Sequence, residues 1–180
     1  MKSRYNSNIH HRRSIRLKEY DYSQDGYYFV TICTKNRECF FGDVIDGKME
    51  LSPMGGIANE CWNDIPKHFS NVLLDVFAIM PNHLHGIIVI DNVGTYHGMS
   101  LRQFAKPISK SLSMIINQFK SSVKRQCNKN GFEYFGWQRN YYENVIRNEI
   151  ALDNIREYII NNLIQWKFDR NNPKNLSTVK

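Results

Sequence analysis

The chain has 180 residues, 42% of them hydrophobic, and its 24 Lys plus Arg against 17 Asp plus Glu give a net charge of +7. That length suits one domain with a real core, and the positive excess points to nucleic acid or an anionic surface as partner. No run of about 18 apolar residues occurs, which excludes a membrane-spanning helix from the expectation, and the polar, basic opening "MKSRYNSNIHHRRSIR" has no apolar stretch of the kind a secretory signal needs.

In chain order, a basic tail is expected over 1–24, one compact body over 25–168, and a polar tail over 169–180 with little to bury. "GYYFVTICT" (Gly26 to Thr34) is aromatic and β-branched and predicts a strand. Ser52 followed by Pro53 is a helix start, with "MGGIANECWNDI" behind it. "NVLLDVFAIM" (Asn71 to Met80) predicts a strand. Pro81 and Asn82 supply turn chemistry, and "HLHGIIVI" predicts the returning strand of a hairpin. Pro107 is expected to open a helix, on which Leu112, Ile115, Ile116, Phe119 and Val123 recur at helical spacing. "FEYFGWQR" is the fourth strand candidate. A last helix carries Ile150, Leu152, Ile155, Ile159 and Leu163. Cys33, Cys39, Cys61 and Cys127 form no C-x-x-C pair, which argues against a zinc ribbon. In a chain read as cytoplasmic they are expected to be free thiols.

The order β-α-β-β-α-β followed by α predicts an α+β fold: a ferredoxin-like split βαβ antiparallel sheet with an added C-terminal helix. Helices cover one face of such a sheet, and the other face is open to a site.

The stretch "MPNHLHGIIVI" then matters most. Residues i and i+2 of a strand point to one side, so His83 and His85 project together while Leu84 turns to the core. Two imidazoles side by side can bind one divalent ion; they can also be ordinary polar residues at a strand start. A histidine-triad hydrolase needs a third His where Ile87 stands. A two-histidine phosphoesterase needs two His-x-Ser/Thr motifs, and only His68 has one. The remaining class is the HUH nucleases, in which two histidines flank an apolar residue and a helix brings a tyrosine. Here "REYIINNLIQW" places Tyr158 and Asn162 four apart, on one helical face. Tyr158 could equally pack half buried between Ile155 and Ile159.

The blocks "YYFVTICTKNRECFFG", "MPNHLHGIIVI", "WQRNYYENVIR" and "YIINN…W", in this order, resemble the IS200-like Y1 transposases and, more closely, their REP-associated tyrosine transposase branch. The resemblance covers about residues 15 to 170. It implies a metal-dependent single-stranded DNA endonuclease and strand transferase acting at DNA hairpins. It implies Tyr158 as nucleophile, His83 and His85 as metal ligands, and Asn162 as the amide ligand. Two departures are Leu163, where the branch usually has Pro, and Asn144, where it often has His.

The residue types suit that chemistry. A free tyrosine, with a pKa near 10, is only about 0.1% phenolate at pH 7. A cation that neutralises charge on the phosphoryl oxygens makes so weak a nucleophile sufficient. A His₂-amide set is mixed N and O and suits Mg²⁺ or Mn²⁺. Arg12, Arg13, Arg16 and Lys18 in the tail, and Lys106, Lys110, Lys120, Lys124, Arg125 and Lys129 on or near one helix, can neutralise phosphates of single-stranded or hairpin DNA. They can also be a solvated helix face. Tyr141 and Tyr142 could stack on unpaired bases and are rival nucleophiles, whereas Trp137 reads as core. A hairpin-binding module without turnover is the alternative reading, and an RNA-directed nuclease a third. The sequence leaves monomer and dimer both open.

Overall fold

The computed structural model describes residues 20–92, 111–169 and 171–176. Arg12, Arg13, Arg16, Lys18, Lys106, Lys110 and Pro107 lie outside the described residues. The first strand, β1 (Gly26–Cys33), alternates: Tyr28, Val30 and Ile32 enter the main core, while Phe29 enters a second, smaller core on the opposite face. Two short strands follow, β2 (Gly42–Ile45) and β3 (Lys48–Leu51), paired as a hairpin. Helix α1 (Pro53–Asn63) starts where Ser52 Oγ accepts the Gly55 N–H at 3.1 Å, with Pro53 at the first helical position. A single turn, α2 (Ile65–His68), leads to β4 (Val72–Met80) and then β5 (His83–Ile90). Next come α3 (Leu112–Lys129), β6 (Tyr142–Ile146), α4 (Glu149–Asn161) and a last short turn α5 (Pro173–Leu176). Among the described residues no helix is long and apolar enough to cross a membrane.

The main sheet has the order β4-β5-β1-β6, with every neighbour antiparallel. Numbered by appearance in the chain, that order is second-third-first-fourth, the split βαβ topology expected from the sequence. α1 and α3 cover one face. Trp62 of α1 stands edge-on to Phe119 of α3, ring centroids 5.2 Å apart, and both are buried with Ile115, Ile116 and Val123. Gly86 makes this contact possible. A Cβ built there would lie 2.4 Å from Trp62 Cζ2, so only glycine lets the indole reach the sheet.

α4 packs against the other face, burying Leu152 and Ile159 on Phe29, Ile87 and Ile146. Its position is fixed by a polar latch. β4 slips register between Leu74 and Phe77, and that bulge carries Asp75, to which Arg156 of α4 donates from Nη2 at 2.6 Å and Nε at 3.1 Å.

Three local expectations are corrected. "FEYFGWQR" is not a strand; it makes only one isolated bridge, Trp137 to Thr34, and the fourth strand is β6. Two of its aromatics join the core, Phe135 and Trp137 packing with Phe41 and Phe119, while Tyr134 is exposed. Its carbonyls are taken by lysines of α3, Lys124 donating to Glu133 and Phe135, and Lys120 to Gln138 and Arg139. The long helix, expected to run through Ser111, begins at Leu112, with Ser111 extended as its N-cap. Leu163 does not extend α4, which ends at Asn161 with Asn162 as its C-cap. The β2–β3 hairpin was not anticipated. Its turn places Asp46 at φ 49° and Gly47 at φ 74°, the left-handed pair that an Asp-Gly dipeptide favours.

Candidate active site

His83 and His85 open β5 and point to the α4 face, as the strand period requires. They are not on an open face as expected. Both are buried, 0% and 2% exposed, beneath α4 and the chain that follows it. His83 lies 6.0 Å from Trp166, ring to ring, and Asp169, Asn171 and Asn172, read from the sequence as tail, are largely buried here.

The outer nitrogen of each ring is occupied. Asn82 Nδ2 donates to the carbonyls of Arg37 at 2.9 Å and Asn171 at 2.7 Å. That orients its amide so that Oδ1 accepts from His83 Nδ1 at 2.8 Å, which leaves the His83 Nε2 lone pair facing inward. Thr31 Oγ1 holds His85 Nδ1 at 2.8 Å. The two Nε2 atoms consequently face each other, 2.9 Å apart. A hydrogen bond between the rings satisfies that distance in one tautomer of His85, and a shared cation satisfies it in the other.

Tyr158 stands on α4 over this pair. Its hydroxyl is 3.3 Å from His85 Nε2, and its ring is edge-on to Phe29 and to His85. It is 49% exposed, although its hydroxyl lies within reach of a buried histidine. Asn162, one turn on, is buried with its Oδ1 lacking any hydrogen-bond partner. Tyr158, Asn162, Gln165, Phe168 and Asp169 line one small pocket. Asp169 Oδ2 is 3.9 Å from His83 Nε2, and one ligand atom each from His83, His85 and Asp169 lie within 4.8 Å of one another. Two imidazole nitrogens with fixed outer partners and a carboxylate suit a divalent ion, and Asn162 Oδ1, a buried amide oxygen without a partner, belongs to a residue of the pocket that Asp169 and Tyr158 also line.

A cleft of about 410 Å³ opens in front of Tyr158, lined by Arg37, His85, Asn140, Tyr141, Tyr142 and Asn171 among others. Both rival tyrosines thus lie in the same cleft. Tyr142 is exposed and edge-on to Phe29, whereas Tyr141 is half buried against the main core. Asn144 faces solvent from β6, paired with Phe29.

The basic helix divides into two kinds of cation. Lys120 and Lys124 hold carbonyls of the 133–139 segment, and burial lowers the pKa of Lys120. Arg125 and Lys129 are exposed and share a shallow depression with Arg139 and Trp137. Sequence reasoning missed Thr31, Asn82 and Asp169. Asn82 carried a visible signal, its place directly before the H-x-H, but read as turn chemistry. Asp169 carried none.

Among the described residues no disulfide joins Cys33, Cys39, Cys61 or Cys127. Burial pushes the thiols of Cys61 and Cys127 up to about 11.

Comparison with known proteins gives three findings. The IS200-like transposase family matches residues 22–162. A protein of Haemophilus influenzae, itself uncharacterized, is 46% identical over 176 residues, covering 94% of this chain and 98% of its own. The structure of a REP-associated tyrosine transposase bound to a REP hairpin superposes with a TM-score of 0.60 at 16% identity, over 87% of this chain and 77% of that one, a likeness of fold.

Proposed function

The chain belongs to the IS200-like transposase family, and from that premise we propose that it is a metal-dependent endonuclease and strand transferase for single-stranded DNA at hairpins, working through a 5′-phosphotyrosine. The observation that carries the reading is the placement of Tyr158 Oη 3.3 Å from His85 Nε2, within one chain. That distance supports a reading in which the proposed nucleophile works beside the candidate cation site.

In the proposed reaction the Tyr158 oxygen attacks the scissile phosphorus. The P–O3′ bond breaks, the phenolic proton is lost, and the departing O3′ takes one up. The products are a phosphotyrosine ester and a free 3′-OH. The ester keeps the phosphodiester's free energy, so rejoining needs no nucleotide triphosphate. His83, His85 and Asn162 would hold a Mg²⁺ or Mn²⁺ ion, whose role when bound is to neutralise charge on the phosphoryl oxygens. Asn82 and Thr31 keep the imidazoles in the ligating orientation. Tyr142 offers a ring to an unpaired base in the cleft, and Arg125, Lys129 and Arg139 offer charge to the backbone of a hairpin stem. The expected compartment is the cytoplasm, with the chromosome.

Incubation with Mn²⁺ and a hairpin oligonucleotide carrying a single-stranded flank tests this. A covalent protein–DNA adduct that depends on the ion is expected. Binding without any adduct, across hairpins and ions, would favour a recognition module instead.

A further inference from the structure

Building on that metal reading, we propose that Asp169 supplies a carboxylate ligand to the same ion, so that the site is a two-histidine, one-carboxylate set with Asn162 as a further neutral oxygen. Asp169 lies outside the nucleophile helix, and its place depends on the fold of the segment after it. Four observations place it. Its side chain is 7% exposed, beside a fully buried His83. Asp169 Oδ1 accepts the Asn171 N–H at 2.6 Å, an Asx turn that uses one carboxylate oxygen and leaves Oδ2 toward the imidazoles. Oδ2 is 3.9 Å from His83 Nε2, a separation that two ligands of one ion can span but a hydrogen bond cannot. The turn is itself fastened to the histidine strand, because Asn82 Nδ2 donates to the Asn171 carbonyl at 2.7 Å.

The chemical consequence is a change of charge. Two neutral imidazoles and an amide leave a divalent ion's charge uncompensated, whereas one carboxylate removes half of it. An anionic oxygen raises affinity for hard divalent ions such as Mn²⁺ and Mg²⁺. The bland rival is that Asp169 only closes the fold over a protonated His83.

The test is Mn²⁺ binding to the full-length protein without DNA, followed by the electron paramagnetic resonance signal of the free ion. Asp169→Asn keeps an oxygen for the Asx turn and replaces the ligand-facing oxygen by an amide nitrogen. Asp169→Ser keeps a turn acceptor in a different shape, should the first variant fold poorly. Both are expected to weaken Mn²⁺ binding at least tenfold, with an ion-free melting temperature close to that of the parent. A His83→Ala/His85→Ala variant is the control. If it loses the ion and the Asp169 variants bind as the parent does, Asp169 is not a ligand and the metal reading stands. If it binds Mn²⁺ as the parent does, the metal reading falls and this inference with it.

Discussion

Asn82 Oδ1 lies 2.8 Å from His83 Nδ1, and the same side chain holds the carbonyls of Arg37 and Asn171. One turn residue thus sets the tautomer of a candidate ligand, a wall of the cleft, and the closing segment. Asn82→Ala should weaken Mn²⁺ binding by about 10- to 100-fold, the usual range when a ligand's orienting partner is removed. Metal titration of the variant beside Asn82→Asp, which keeps the acceptor, checks this. Equal losses in both would mean that the acceptor is not what matters.

His83→Ala and His85→Ala should each abolish cleavage. Neither will be silent for the fold, because both rings are buried and hydrogen-bonded. A loss of about 1–3 kcal/mol is expected from each stranded partner and vacated space. Urea unfolding in the absence of metal measures it.

The Asp75–Arg156 pair ties α4, the helix of the proposed nucleophile, to the bulge in β4. Its side chains are 16% and 37% exposed, so a coupling of about 1 kcal/mol is the scale to expect. Asp75→Asn should slow cleavage several-fold and leave hairpin affinity near the parent value. A double-mutant cycle on cleavage rate with Arg156→Gln checks it; additive effects would show that the pair does not position Tyr158.

Hairpin affinity should fall steeply with salt. Arg125→Ala and Lys129→Ala should each lower the slope of log affinity against log salt by about 0.9, one phosphate contact on duplex DNA. Lys120→Met should instead destabilise the fold by about 1–3 kcal/mol, because two carbonyls lose a charged donor. Affinity measured at several salt concentrations, together with melting curves, separates the two classes.

The order of the sheet was legible because β4 and β5 read as apolar runs of strand length bounded by turn residues, and α3 carries its apolar residues at helical spacing. The helix start at Ser52 was legible from local chemistry, as its hydrogen bond to the Gly55 N–H shows. The same local reading misplaced the last strand, since Phe132, Phe135 and Trp137 are aromatic because they pack on the core and not because the chain is extended there. The β2–β3 hairpin had its signal in Asp46-Gly47, between strands too short and exposed to stand out. The pairing of His83 with His85 follows from strand period alone. Their burial does not, because it depends on Trp166, Asp169 and Asn171 coming back to the sheet, long-range contacts that no periodicity encodes. Tyr158 and Asn162 were legible as one helical face, and both line one pocket. Asp169 became visible only through that return of the chain.

The central claim is that Tyr158 is the nucleophile, and mapping of the covalent adduct tests it most directly. Tyr158→Phe removes one oxygen from a half-exposed ring, so stability should change by about 1 kcal/mol or less and hairpin binding should persist. With Mn²⁺ and a flanked hairpin, the parent should yield a DNA-linked peptide spanning Tyr158, and the Phe variant should yield no adduct. An adduct that persists in the variant, with the link found at Tyr141 or Tyr142, would contradict the assignment.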